Sequence, residues 1–537
     1  MASLSRATAV MTAGTLLSRV TGLLRVVAIA AALGVVETRL ADTYNLGNTA
    51  PNIIYELVLG GVLTSVFVPV FVELLDKEGR ERAWEVASAI INLSIVILTA
   101  VAIVGIVAAP WIADFYASRL EGGAQLEQHR ILTFLLRMFI PQIVFYGLYS
   151  VTTGLLNAHR RFGAPMYTPV LNNLAVIAIF VAFAQAYGTV ELDEVSNWQL
   201  TLIGGGTTLG IVLMAIAQLP FLRGLGRYRF TFSVKHPSVK KLARLAVFVV
   251  GYVIVNQIGY LVVQRLANDQ QGGYTAYISA FAFFLLPHGL FAVSVITALL
   301  PGMSEHASAG RWDRYREQLS TGVRATFLLI LPAAVGYFVL AEPIVRLLLQ
   351  HGVATARSTA LVSDVLRIFV VGLIPFSLFQ LFLRAFYALQ DTKTPFLVNI
   401  VAVGANTIFN ILVFDSLRVE GLAAGLAGAY AIGAVIQWRA LSKRVDGVDG
   451  VNVARSFARI AAAAAGMGVA VWATSRALDE VLAPDGLVSA TLAVAVPVVV
   501  GAVSYIGLAT LFHVTELGFV RSAIAGRLGR ASGGVET

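Results

Sequence analysis

The chain has 537 residues, of which 58% are hydrophobic and only 13% charged, with a mean hydropathy of +0.79. A soluble protein keeps about a quarter of its residues charged, so a soluble globular fold is excluded. The net charge of +9 would suit nucleic acid, but the basic residues lie in short loops on one side, as the positive-inside rule demands, and no nucleic-acid partner is expected. Cysteine is absent, which excludes disulfides and thiolate metal sites.

In chain order, apolar stretches recur at 8–35, 44–75, 83–112, 131–156, 164–187, 198–222, 242–267, 273–304, 322–341, 359–388, 395–415, 419–440, 456–476 and 487–512. Each is near the roughly 20 residues needed to cross a bilayer. Lipid offers the backbone no hydrogen bonds, and these segments are too long and continuous for barrel strands, so they are helices. The sequence therefore predicts an all-α polytopic membrane protein with about fourteen transmembrane spans. Arg19 and Arg25 interrupt any signal-peptide core, so the N-terminus reads as the first span and not a cleaved leader.

The loops alternate in charge. One set carries Lys77, Arg80 and Arg82, then Arg160 and Arg161, the basic stretch 223–244, Arg311, Arg314 and Arg316, Lys393, and Lys443 with Arg444. The other set carries Glu191, Asp193, Glu194, Asp269, Asp415, Glu420, Asp479, Glu480 and Asp485. This places both termini in the cytoplasm. The segment 342–358, containing EPIVRLLLQHG, reads as an amphipathic stretch lying on the outer surface.

The two halves resemble each other. VLTSVFVPVFVELLDKEGR and VSVITALLPGMSEHASAGR share a plan about 232 residues apart, with Pro69 matching Pro301, Glu73 matching Glu305 and Gly79-Arg80 matching Gly310-Arg311. The hairpin NAHRRFGAP (157–165) pairs with ALQDTKTP (388–395). Repeated halves are the pattern of transporters that bind substrate near the membrane midplane and alternate access. The expected organisation is a six-helix lobe at 1–222, a basic linker at 223–241, a second lobe at 242–445, two extra helices at 446–515 and a short cytoplasmic tail at 516–537. The two pseudo-symmetric lobes are expected to surround a central cavity.

Placed at about 100° per residue, residues 12–27 split in two. Leu16, Leu17, Val20, Leu23, Leu24 and Val27 fall on one half of the helix, and Thr12, Gly14, Thr15, Ser18, Arg19, Gly22 and Arg25 on the other. The two arginines are ~9 Å apart along the axis, so they line a wall and do not grip one atom. They either snorkel, form structural ion pairs, or face a wet cavity. Arginine's planar fork suits phosphate and carboxylate oxygens, so the substrate implied by a cavity is anionic. Asn48, Asn52, Asn256, Gln257, Tyr260, Gln264 and Arg265 add polar groups inside later spans, and Asn172-Asn173 and Asn406/Asn410 open spans 5 and 11. Each alone is an ordinary interhelical hydrogen-bonding residue; together they outline a polar chamber. Asn406 and Asn410, at i and i+4, are weak candidates for a cation site. GGGTTLG (204–210) lacks the lysine of a phosphate-binding loop and reads as helix packing. No metal cluster, cofactor motif or nucleophile–base spacing stands out, so no cofactor and no enzymatic chemistry are expected.

SRVTGLLR (18–25), NTAPNIIYELVLGGVLTSVFVPVF and RAFYALQDTKTP resemble the MurJ (MviN) family of lipid II flippases, over nearly the whole chain. The resemblance implies membership of the wider exporter superfamily of multidrug and polysaccharide transporters, with spans 13 and 14 forming a groove for a lipid tail. It implies translocation of lipid II, the undecaprenyl-pyrophosphate-linked peptidoglycan precursor, from the inner to the outer leaflet of the bacterial cytoplasmic membrane. Membrane lipids and cell-wall synthesis or division proteins are the other partners it implies. Arg19 and Arg25 match the family's two arginines of the first helix, where the pyrophosphate is expected, and Asp42 matches its acidic residue at the start of the second.

Several family positions differ. Tyr55 and Glu56 stand where an arginine pair is common, Gly60 at an acidic position, Val26 at another, and Ala282 near the arginine of the eighth helix. Arg265 or Arg384 would then compensate. Some family members hold a cation near the positions of Asn406 and Asn410, but here the acidic ligand is lost. The membrane potential is a plausible drive, because an anionic headgroup moves outward. Export of another polyprenyl-linked saccharide or of a drug is the alternative transport reading, with Asp42 and Glu56 as the only carboxylates for proton coupling. A non-transporting scaffold of cell-wall synthesis is the alternative outside transport.

Overall fold

A computed structural model describes residues 2–56, 68–232, 237–447, 449–481 and 486–518, without the side chains of 2–12, 68–70 and 237–249. Gly60, part of the basic linker and most of the tail therefore lie outside the described residues. Among these residues the regular structure is helical throughout. In order it runs α1 (Ala2–Leu33), α2 (Leu40–Tyr55), α3 (Val68–Lys77), α4 (Gly79–Ala117), α5 (Gly122–Phe139), α6 (Gln142–Ala158), α7 (Gly163–Tyr187) and α8 (Asn197–Ile216). It continues with α9 (Pro237–Ala267), α10 (Gly273–Pro287), α11 (Val293–Ser308), α12 (Trp312–Leu349), α13 (Ala356–Val371), α14 (Leu373–Ala388), α15 (Lys393–Arg444), α16 (Gly450–Val481) and α17 (Leu487–Leu511).

Among the described residues ten helices are long and apolar enough to cross a bilayer, eleven if the bent pair α13–α14 counts as one span. The predicted fourteen are not reached by this count. Span 2 falls across the undescribed 57–67, and spans 11 and 12 lie within α15, whose helical run is interrupted by the backbone of Arg418 (φ 47, ψ −140). Several expected single spans are broken. Pro141 separates α5 from α6. A π-turn at 288–292 joins α10 to α11, and Gly372 sits at a 48° bend between α13 and α14.

One expectation is corrected. Residues 342–349 do not form a separate amphipathic segment; they continue α12, with Pro343 inside the helix. Ala341, Val345 and Leu349 are fully buried. Four-residue spacing puts these apolar side chains on one stripe, and burying it keeps the helix going where the amphipathic pattern suggested a turn onto the surface.

The chain divides into two compact units, Met1–Ala276 with Leu349–Ser358, and Tyr277–Leu348 with Thr359–Thr537. In the first, α1 packs on α7, α7 on α8, and α5 against α2, α4 and α8. Tyr44 anchors its core, fully buried with edge-to-face contacts to Phe139 (5.5 Å) and Phe180 (5.0 Å), an arrangement favoured by the aromatic quadrupole. In the second, α14 packs on α15, α11 on α14, and α16 on α17.

The halves repeat in backbone detail. Each hairpin ends its helix with a left-handed residue, Arg160 (φ 58) and Gln390 (φ 57). The next amide reaches back to a carbonyl five residues earlier, Arg161 N to Leu156 O (2.8 Å) and Asp391 N to Phe386 O (3.0 Å). This satisfies a carbonyl the helix end leaves orphaned. Gly79 and Gly310 likewise both have positive φ.

Candidate functional site

The first helix is held by its small residues. Gly14 is buried, and a Cβ there would lie 2.7 Å from Met166 Cβ on α7. Asn173 Nδ2 on α7 donates to Ser18 O (3.2 Å) and Thr21 Oγ1 (3.0 Å). Leu16, Leu17, Val20 and Leu24 are exposed. Lipid supplies no hydrophobic drive between helices, so close approach of small residues and interhelical hydrogen bonds hold them together. Leu16, Leu17, Val20 and Leu24 thus face outward, while Gly14, Ser18 and Gly22 turn toward α7.

Arg25 is half-buried and Arg19 exposed. Neither has an ion-pair or hydrogen-bond partner among the described residues, so the structural ion pair left open by the sequence is not formed there. Arg25 lies near enough to the hydroxyls of Tyr44 and Tyr146 to act on them electrostatically. Tyr44 Oη is held 2.7 Å from Thr207 Oγ1 on α8. Tyr146, on α6, is hydrogen-bonded to the Asn52 side chain, and its ring lies 5.7 Å from that of Tyr55. Tyr55 donates to Ser150 Oγ (2.5 Å), and Asn52 Nδ2 to the carbonyl of half-buried Asn48 (3.2 Å).

One guanidinium from α1, a tyrosine and an asparagine from α2, and a tyrosine from α6 therefore gather on one polar side of the first unit, while Tyr44 itself stays in the buried core. Glu56 lies exposed beside Tyr55. An arginine in the middle of a bilayer span costs at least about 2.5 kcal/mol on insertion scales. Arg25 stands twelve residues into the apolar span Ala13–Leu33, with no carboxylate paired to it among the described residues. That arrangement is complementary to a mobile anion with planar or tetrahedral oxygens, flanked by hydroxyl and amide donors suited to sugar and peptide groups.

Other predicted residues have other places. Asp42 is fully buried. Its carboxylate accepts from the amides of Gly272 (2.7 Å) and Thr275 (2.8 Å) and from Thr275 Oγ1 (2.7 Å), at the start of α10, where the helix leaves donors unsatisfied and favours negative charge. Gln264 is also fully buried; it accepts from Tyr116 Oη and donates to Tyr274 Oη, both at 2.9 Å. Tyr260 Oη meets Tyr274 Oη at 3.0 Å, and Tyr274 donates to Thr49. Arg265 bonds Ser118 Oγ (3.1 Å) and lies over the Phe115 ring (5.2 Å). Asn256 and Gln257 are half-buried on α9, with Asn256 donating to Tyr252 O (2.8 Å).

Arg384, in the second unit, is exposed with its guanidinium over Tyr387 (5.7 Å). Asn406 and Asn410 are buried in the same unit. Among the described residues, Asn406 Oδ1 and both side-chain polar atoms of Asn410 have no hydrogen-bond partner. Gly425 opposite leaves them room, since a Cβ there would lie 2.1 Å from Asn410 Oδ1 and 2.8 Å from Asn406 Oδ1. Two neutral amides do not fit a hard cation, which takes six or more oxygens, carboxylates among them. Among the described residues no group of three or more His, Cys, Asp or Glu could hold a metal.

Sequence reasoning missed Tyr44, Tyr146 and Ser150. The signal for the last two was in FYGLYS (145–150), where Tyr146, Tyr149 and Ser150 share one helix face at i, i+3 and i+4.

Residues 29–489 match the family described as lipid II flippase MurJ. The chain is 29% identical over 431 residues to a probable lipid II flippase MurJ of Rhizobium meliloti (strain 1021), covering 79% of each. It is 28% identical over 452 residues to the lipid II flippase MurJ of Burkholderia cenocepacia, covering 82% of this chain and 84% of the relative. Among solved structures it resembles "Lipid II flippase MurJ, inward closed conformation", with a TM-score of 0.75 at 22% identity over 94% of this chain and 98% of that one. It also resembles an inward-facing multidrug resistance MATE family transporter of the MOP superfamily, with a TM-score of 0.65 at 14% identity over 80% of this chain and 94% of that one.

Proposed function

The chain belongs to the lipid II flippase MurJ family, and from that membership we propose that it carries lipid II from the inner to the outer leaflet of the bacterial cytoplasmic membrane by alternating access, with both termini cytoplasmic. Arg25 and Arg19 draw the pyrophosphate to the wall of α1. Tyr146, Tyr55, Asn48 and Asn52 contact the sugar or peptide, and the polyprenyl tail stays in lipid. The chain binds and releases this substrate without covalent chemistry, and cell-wall synthesis proteins consume what it delivers.

The observation that supports this reading is the half-buried Arg25, unpaired among the described residues at the middle of a spanning helix, its charge reaching the hydroxyls of Tyr44 and Tyr146. A charge kept there without a protein partner is explained by an anionic substrate that supplies one intermittently. The test is lipid II exposure on the outer face of cells depleted of their own flippase and supplied with this chain or its Arg19→Ala/Arg25→Ala form. Exposure restored by the wild type and not by an equally abundant double variant supports the reading. Equal restoration by both overturns the role of the arginines, and restoration by neither overturns the substrate.

A further inference from the structure

The second unit holds a cleft of about 710 Å³, within the 300–1,000 Å³ typical of small-ligand sites. One wall is α13 with the start of α14, presenting Ile368, Val371 and Pro375; the other is the second half of α15, presenting Ala424, Ala427, Gly428 and Ala431. Phe338 of α12 closes its side. The charges stand at one end. Arg367 donates to Asp364 (2.7 Å) and to Glu342 (3.5 Å), and Glu420, on the opposite wall, has no partner among the described residues.

The two walls share one gradation. Pro375 follows Asp364, and Ala431 follows Glu420, by eleven positions; along α15 that is ~16 Å at 1.5 Å per residue, and the α13–α14 wall is shortened by its 48° bend. The α15 length is about half of the roughly 30 Å hydrocarbon core, a depth that suits one leaflet, and the cleft is charged at one end and apolar at the other. The first wall breaks at Gly372. α13 and α14 bend by 48° there, and Gly372 approaches so closely that a Cβ would lie 2.7 Å from Ala427 Cβ.

The mouth carries three carboxylates and one guanidinium, so it disfavours a headgroup with net negative charge. Arg367 has five N–H donors, two of which are engaged at the distances above, leaving donors for a phosphate oxygen. Glu420 is placed for an ammonium. We propose that this cleft binds one zwitterionic phospholipid with an ethanolamine headgroup, an acyl chain along Ile368, Val371 and Ala427, the phosphate on Arg367 and the ammonium on Glu420. Its assignment to the outer leaflet rests on the orientation proposed above; the binding itself does not, and it is read without any flipping assay.

Gly428 provides the probe. It lines the cleft, and a Cβ there meets nothing within 4 Å, so Gly428→Leu extends its side chain from an open position into the cleft and favours the helix. Native mass spectrometry is made on the delipidated full chain in detergent, with phosphatidylethanolamine or phosphatidylglycerol of identical chains added. The expected result is a single ethanolamine-lipid adduct about fivefold more populated than the glycerol-lipid one, the scale of one exposed ion pair. Glu420→Gln brings the two lipids level, and Gly428→Leu, melting at or above the wild-type temperature, removes the adduct. Equal binding of the two lipids by the wild type overturns the proposal, as does an adduct that survives Gly428→Leu. So does competition by a single-chain trimethylammonium amphiphile as strong as that of the ethanolamine lipid, which would make the site one for cations alone.

Discussion

Glu37, in the turn after α1, reaches Thr355 and Ser358 more than three hundred positions along the chain, and accepts hydrogen bonds from both. Its Oε1 takes the Thr355 amide (2.8 Å) and Thr355 Oγ1 (2.7 Å); its Oε2 takes Ser358 Oγ (2.7 Å) and the amides of Val35 (2.7 Å) and Val36 (3.1 Å). Val353 N adds a bond to Ala31 O (2.9 Å). This clasp explains why Leu349–Ser358 belongs to the first unit while the chain on both sides of it belongs to the second.

The clasp sets a pH dependence. Burial raises the Glu37 carboxyl, but the bonds from Thr355, Ser358 and the Val35 and Thr355 amides outweigh it and hold its pKa below the ordinary value. A depressed folded pKa contributes stability that is complete above the unfolded pKa of about 4.3 and is lost as pH falls through the lower folded value. Melting temperature should therefore fall below pH 4 in the wild type and less so in Glu37→Gln. At neutral pH Glu37→Ala should cost about 1–2 kcal/mol, since the group is half-exposed.

Asp42→Asn should act first on folding. It weakens three charge-assisted bonds at a fully buried position, a loss of about 2–3 kcal/mol. A lowered melting temperature in substrate-free protein checks this; an unchanged one together with lost flipping would assign Asp42 to the substrate.

Arg265→Ala should retain flipping within about twofold, because its guanidinium is engaged by Ser118 and Phe115, an exposed arrangement worth about 1 kcal/mol or less. Arg25→Lys should lose about tenfold or more, since lysine lacks the fork for bidentate phosphate binding. Both are measured as outer-face lipid II in the depletion strain at matched abundance.

Gly425→Ala should destabilise the second unit by about 1–3 kcal/mol through overpacking, as its Cβ would meet Asn410 and Asn406. Exchanging sodium for choline should leave the melting temperature of the wild type unchanged, because neutral amides alone bind hard cations weakly. A sodium-dependent rise in melting temperature would restore a cation site at this pair.

Helical membrane architecture, the repeat and the two-faced first helix were legible in the sequence, because hydropathy and 100° periodicity are local properties that lipid enforces residue by residue. The paired hairpins at Arg160 and Gln390 were legible for the same reason, each end being capped by its own neighbours. The roles of the polar residues were decided only by the tertiary structure. Asp42, Gln264 and Arg265 read alike with Arg25 as chamber candidates, yet Asp42 meets Thr275, Gln264 meets Tyr116 and Arg265 meets Ser118, each partner more than a hundred positions away. Arg25 alone of the four lacks such a partner among the described residues. A buried polar group must be satisfied by whatever the fold brings to it, so its pairing is a property of contacts distant in sequence, which no local pattern encodes.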